Sequence, residues 1–315
     1  MRCEVPLLIV LASALAMPSA HAMSSDTPLD TAWLDRTWDF NRPAETETRF
    51  RHELETLSPG AAAQLELQTQ IARTLGLQRR FDEAHAMLDG VEKTLDGRPP
   101  RVAIRYLLER GRIYNSSRQP ERATPLFRQA LDKARAAHED FLAIDAAHML
   151  GIAAPADERL RWNLEALAMT ERTDDARSKR WLASLYNNIG WTYHERGEYA
   201  TALEYFEKAL PAWQARGGAD ELRAARWAIA RAYRSLGRYD DALAIQKQLA
   251  VESAKAGAPD GYVDEELGEL LLAKGDPAGA RPHFARAFDL LGADAGLRAS
   301  EPERLARLRR LGGVE

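Results

Sequence analysis

The chain has 315 residues, 45% hydrophobic and 29% charged, a balance that suits a soluble folded protein rich in helix-forming Ala, Leu, Glu and Arg. With 43 Lys and Arg against 47 Asp and Glu, the net charge of -4 excludes the overall basic surplus that a nucleic-acid partner would call for. The single cysteine, Cys3, excludes an internal disulfide and a cysteine-ligated metal.

In chain order, residues 1–22 have an early Arg2, an apolar run from Leu7 to Met17 and the small-x-small ending Ala20-His21-Ala22. This pattern predicts a signal peptide cleaved after Ala22, because the run is too short for a stable span, which needs roughly 20 residues. The expectation is therefore a periplasmic or secreted protein with no stable membrane insertion after cleavage. A start at Met23 would leave the same domain in the cytoplasm. Residues 23–62 are expected to hold a flexible start, loose between Ala22 and Arg36, and an N-terminal capping helix over 43–57 that begins with Pro43. Trp33 and Trp38 are expected to fold back onto the first hairpin.

From residue 63 to 292 one pattern recurs. Small residues at Ala72, Gly111, Gly151, Gly190, Ala230 and Gly268 follow one another at 38 to 40 residues. A second small residue comes 12 later, at Ala84, Ala123, Ala202, Ala242 and Ala280, and a large one comes 16 later, at Leu88, Phe127, Phe206 and Phe284. Small residues let one helix approach another, large ones at helical spacing form the apolar stripe, and RGEY, LGRY and KGDP mark turns. The prediction is about six helical hairpins, none able to bury its face alone, stacked into an all-α array. The unit at Gly151 lacks four residues between its helices, since Ala166 lies 15 past its anchor where Ala209 lies 19 past its own. Residues 293–315 are expected to end the stack with a capping helix over 301–311.

The stretches IGWTYHERGEYATALEYFEKAL (189–210) and IARAYRSLGRYDDALAIQ (229–246) resemble tetratricopeptide repeats, in the long-repeat variety seen in kinesin light chains. The resemblance implies a right-handed superhelix of stacked antiparallel helix pairs, a TPR-like solenoid, whose concave groove binds protein or peptide.

No HExxH, GxSxG, Walker loop, GxGxxG or cysteine pair is present, so the sequence offers no motif for an enzyme, cofactor or metal. The face of each first helix next to the apolar stripe is the candidate partner-binding groove. The early units supply Arg73, Arg105, Arg112, Asn115 and His148, and the fourth supplies Asn187, Trp191 and His194. The fifth supplies Trp227, Arg231 and Arg234, followed by Tyr262, Glu265 and Glu269. Asn188 matches an asparagine that in carboxylate-clamp members of this family holds a peptide backbone or terminal carboxylate, whereas the clamp lysines are missing. Arg231 and Arg234, three apart, suit a carboxylate or phosphate through forked hydrogen bonds, in a partner an acidic or C-terminal group, or else a solvated face or a pair with Glu265 or Glu269 of the next unit. Trp191 and Trp227 suit ligand contact or packing on the adjacent unit. The resulting expectation is a non-enzymatic protein- or peptide-binding scaffold. The alternative is a sensor taking a small peptide or cell-wall fragment near His148 and Trp162, at the short third unit. Self-association through the ends of the stack stays open.

Overall fold

The computed structural model describes residues 26–314, and among them every regular element is a helix. The expected leader over 1–22, and Met23, lie outside the described residues. Six hairpins follow one another: α3 (Ala62–Leu77) with α4 (Phe81–Glu92), α5 (Pro100–Ser116) with α6 (Pro120–Ala136), α7 (Asp140–Ala153) with α8 (Ala156–Arg172), α10 (Leu182–Glu195) with α11 (Tyr199–Arg216), α12 (Ala219–Ser235) with α13 (Tyr239–Lys255), and α14 (Gly261–Ala273) with α15 (Pro277–Gly292). Before them stand α1 (Thr31–Thr37) and α2 (Pro43–Leu54), after them α16 (Ala295–Ser300) and α17 (Pro302–Gly312), and α9 (Ala176–Lys179) interrupts the stack after the third hairpin.

The small anchors work by removing a Cβ. One added at Gly111 or Gly190 would lie 2.5 Å from Cε1 of Phe127 or Phe206, and one at Gly268 would lie 2.8 Å from Phe284. The rings fill the space the glycines leave, and all three phenylalanines are fully buried. The third hairpin keeps the device in altered form. Of its four missing residues three come from the end of α7 and one from the turn, which is reduced to Ala154 and Pro155, so Asn163 takes the helix position that Phe127, Phe206 and Phe284 hold elsewhere and lies against Gly151. The Asn163 Nδ2 donates to the Gly151 carbonyl at 3.3 Å. The other hairpin turns are three residues long with a left-handed central residue. That residue is glycine at Gly197, Gly237 and Gly275, and arginine at Arg79 and Arg118.

One expectation about the flanks is corrected. The start is not loose up to Arg36, because Asp30 caps α1 by accepting from the Ala32 and Trp33 N–H groups, and Leu29 and Leu34 are buried in the core. At the other end α17 stands where the capping helix over 301–311 was expected, preceded by α16, and packs Leu305 and Leu308 beside Phe284 and Leu291 of α15. Trp33 and Trp38 both pack on Phe50 of α2, and Trp38 Nε1 donates to Gln70 of α3 at 3.2 Å. Among the described residues no helix is long and apolar enough to cross a membrane.

Candidate functional site: a basic cavity on the concave face

The first helices of successive hairpins are stitched side by side by polar pairs. Arg105 Nε donates to Glu66 at 2.8 Å, Gln70 to Glu109 at 3.3 Å, and Arg112 bridges Glu109, at 2.7 Å, and Asp145. Asn188 meets His148 Nε2 at 3.0 Å, and His194 meets Ser235 at 2.9 Å. Arg234 places its fork on Glu266 at 2.7 and 3.0 Å, with Arg231 at 3.2 Å from the same carboxylate. At the far end Arg304 and Arg307 of α17 hold Glu265 and Glu269.

Much of the groove expected from sequence therefore serves as repeat-to-repeat stitching. Arg231 and Arg234 do grip a carboxylate, but it is Glu266, because Glu265 and Glu269 are turned toward the arginines of α17. Trp191 packs on Phe206 and Trp227, at ring separations of 5.0 and 5.9 Å. Trp227 donates its indole N–H to the Tyr262 carbonyl at 3.2 Å. Asn187 is half-buried on α10, and Asn115 lines a recess beside the α7–α8 turn. Trp162 does not share a cavity with His148: it lies on α8, its indole donating to Glu158 at 3.1 Å, with the Arg128 and Arg161 guanidiniums over its ring.

Arg112 and His148 belong to a cavity of about 480 Å³ on the concave face, walled by α3, α5, α7, α9, α10 and the corner between α11 and α12, and roofed by α1. Six arginines line it, Arg73, Arg105, Arg112, Arg177, Arg180 and Arg216, against four carboxylates, Asp35, Glu109, Asp145 and Glu221. Four residues of the lining carry a buried polar atom with no hydrogen-bond partner: Arg105 Nη2, Glu109 Oε2, His148 Nδ1 and Trp181 Nε1. Burial pushes His148 down to about 4, with Arg112 and Arg73 adding to the shift and Asp145 opposing it, so the ring is neutral at pH 7. With the Asn188 amide oriented to donate to Nε2, the ring proton sits on Nδ1. The site thus presents three unused donors and one unused acceptor. Its aromatic wall is Trp181, 4.8 Å from the His148 ring and 5.8 Å from Phe141.

Of this set the sequence pointed to Arg73, Arg105, Arg112 and His148 and missed Asp35, Glu109, Asp145, Arg177, Arg180 and Trp181. Glu109 and Asp145, acids on first helices among basic positions, were the available signal. Asp35 and the arginines of α9 had none, because they meet only across the fold.

Residues 157–215 and 181–250 match the family model for tetratricopeptide repeat. The matched residues, from α8 to α13, are thus similar to tetratricopeptide repeats, and the stacked hairpins make the fold a helical solenoid of the same kind. No curated protein matches the sequence significantly. Among solved structures the fold is similar to apo RapI, with a TM-score of 0.67 at 13% identity, covering 90% of this chain and 79% of that one. It is similar to NprR in complex with its cognate peptide NprX, with a TM-score of 0.57 at 15% identity, covering 89% and 82%. BtubC from P. vanneervenii gives a TM-score of 0.55 at 16% identity, covering 72% and 93%. At these identities the likeness is one of fold.

Proposed function

We propose that the protein is a non-enzymatic scaffold that receives a peptide segment of a partner, ending in or bearing a carboxylate, in the cavity on the concave face of its first four hairpins. The observation that carries this reading is the set of unpaired donors at Arg105, His148 and Trp181, beside the one acceptor at Glu109, on the wall of a single basic cavity. Peptide carbonyls and a carboxylate accept from such donors, and a peptide N–H donates to the glutamate. NprR, of similar fold, is known in complex with a peptide, which supports the same use of this fold here. The leader-like residues 1–22 favour a periplasmic or secreted setting.

Peptides selected from a displayed library on the full chain test this. Ser184 on α10 lines the cavity, and Ser184→Trp would fill it from a half-buried position. Selected peptides should bind the wild type by calorimetry and lose at least tenfold in affinity on Ser184→Trp with its melting unchanged. Equal binding to the two would remove the cavity from the account. A second reading, a sensor of a small ligand, is favoured by the cavity volume alone, which lies in the range of small-molecule sites. Thermal shift with small peptides and cell-wall fragments separates it from the first.

A further inference from the structure

The roof of the cavity comes from the chain itself. The segment 29–40 runs from α3, where the Leu29 N–H points at Glu66, along the concave face to α9. There Asp35 receives Nε and Nη2 of Arg177, each at 2.8 Å, and Nη1 of Arg180 at 3.1 Å. The Arg177 guanidinium is fixed for this by stacking on Phe141 at 3.5 Å. Leu29 and Leu34, at 5% and 2% exposure, are buried as deeply as core residues of the hairpins. One carboxylate is thus delivered to a basic seat, on a short helix whose leucine enters the apolar floor. Without Asp35 the seat would hold six arginines against three carboxylates.

We propose that α1 is an intramolecular occupant of the partner's seat, and that the partner segment is an acidic amphipathic helix built like it. Such a segment has a carboxylate directly after a buried leucine, with aromatic residues on either side, as Trp33 and Trp38 flank Leu34 and Asp35 here. This rests on the concave-face reading of function and adds the chemistry of the ligand and the means of its control. Binding of the partner displaces α1, with the partner's carboxylate replacing Asp35 on Arg177 and Arg180. The tether gives α1 an effective concentration that only a well-matched partner overcomes, so the strap sets a threshold for binding. The exchange of like for like also preserves the charge balance of the seat, which an uncharged ligand would leave cationic.

The test uses the full chain and a fluorescent peptide of residues 27–41, TPLDTAWLDRTWDFN, supplied in trans. Asp35→Arg sets a cation against Arg177, Arg180 and Arg216 and should release the tethered strap. Anisotropy should then show at least tenfold tighter peptide binding to Asp35→Arg than to wild type, and loss of binding when the peptide itself carries the arginine. Equal affinities, or no binding to either protein, overturn the proposal. Should Asp35→Arg not fold, hydrogen exchange on wild type decides: the amides of α1 should exchange faster once a library-selected peptide is bound. If α1 stays protected while the peptide occupies the cavity, the strap proposal fails and the concave-face function stands. If the selected peptide binds elsewhere, that function fails first. Protection of α1 that rises with protein concentration in a dimer would place α1 in the groove of a second copy and overturn its intramolecular role.

Discussion

Asp35 and Arg177, 142 residues apart in sequence, are joined through both Nε and Nη2 of the guanidinium at 2.8 Å, and this pair closes the N-terminal strap over the concave face. Burial works against the charge on Asp35, yet the fork and charge of Arg177 hold its carboxyl below the usual value. The pair is partly exposed, so its contribution to global stability is small, on the order of 1 kcal/mol. Asp35→Ala should therefore leave the cooperative melt of the array almost unchanged. By hydrogen exchange it should deprotect the amides of α1 selectively.

The glycine anchors make a sharper stability prediction. Gly190→Ala places a methyl against the Phe206 ring and should cost about 1–3 kcal/mol by overpacking. Phe206→Leu in the same chain should recover part of that loss in a double-mutant cycle. Gly90→Ala, inside α4 with nothing within 4 Å, is the control and should stabilise by about 0.5–1 kcal/mol. Urea unfolding of the wild type, the two single variants of the cycle, the double variant and the control reads all of these.

Arg118 closes the second hairpin turn at φ 63, where the fourth, fifth and sixth hairpins use glycine. Its side chain is exposed, so Arg118→Gly relieves the left-handed strain without removing packing. The expected gain is about 0.5–1 kcal/mol after the added freedom of the unfolded chain is set against it.

His148 should make stability depend on pH. Its folded value of about 4 lies below the ordinary 6.5, so between these values the unfolded chain binds a proton that the folded chain does not. Stability is then lost as pH falls from 6.5 toward 4, with a slope of up to about 1.4 kcal/mol per pH unit from this group. The ring faces Asp145, Arg112, Arg73, Asn188 and Trp181. His85 and His194, also lowered by burial, add a slope of the same sign, while Glu266, pushed up to about 7 by burial, adds one of the opposite sign, so the share of His148 is read as the difference between wild type and variant. His148→Gln keeps an amide partner for Asn188 and should flatten the curve between pH 5 and 6.5, as measured by urea midpoints.

The sequence made the hairpins readable because four of the six carry their packing instructions locally: a glycine or alanine anchor and, one helix later, the large residue that fills the gap, as with Gly190 and Phe206. The short third turn was readable for the same reason, through the four-residue offset that brings Asn163 to Gly151. The site was legible only in part, because its partners lie one repeat or more away. The spacing of Arg231 and Arg234 suits the carboxylate they meet, but that Glu266 owns it, and neither Glu265 nor Glu269, depends on which face of α14 turns toward α12. Nothing in residues 23–36 announces a strap, since Asp35 acquires its role only where α9 meets it.

The most direct measurement is hydrogen exchange on the full chain with and without a library-selected peptide. The account predicts added protection over 105–112, 141–149 and 177–184, the segments that wall the cavity. Protection confined to α6, α13 or the α16–α17 cap, with those three segments unchanged, would contradict it.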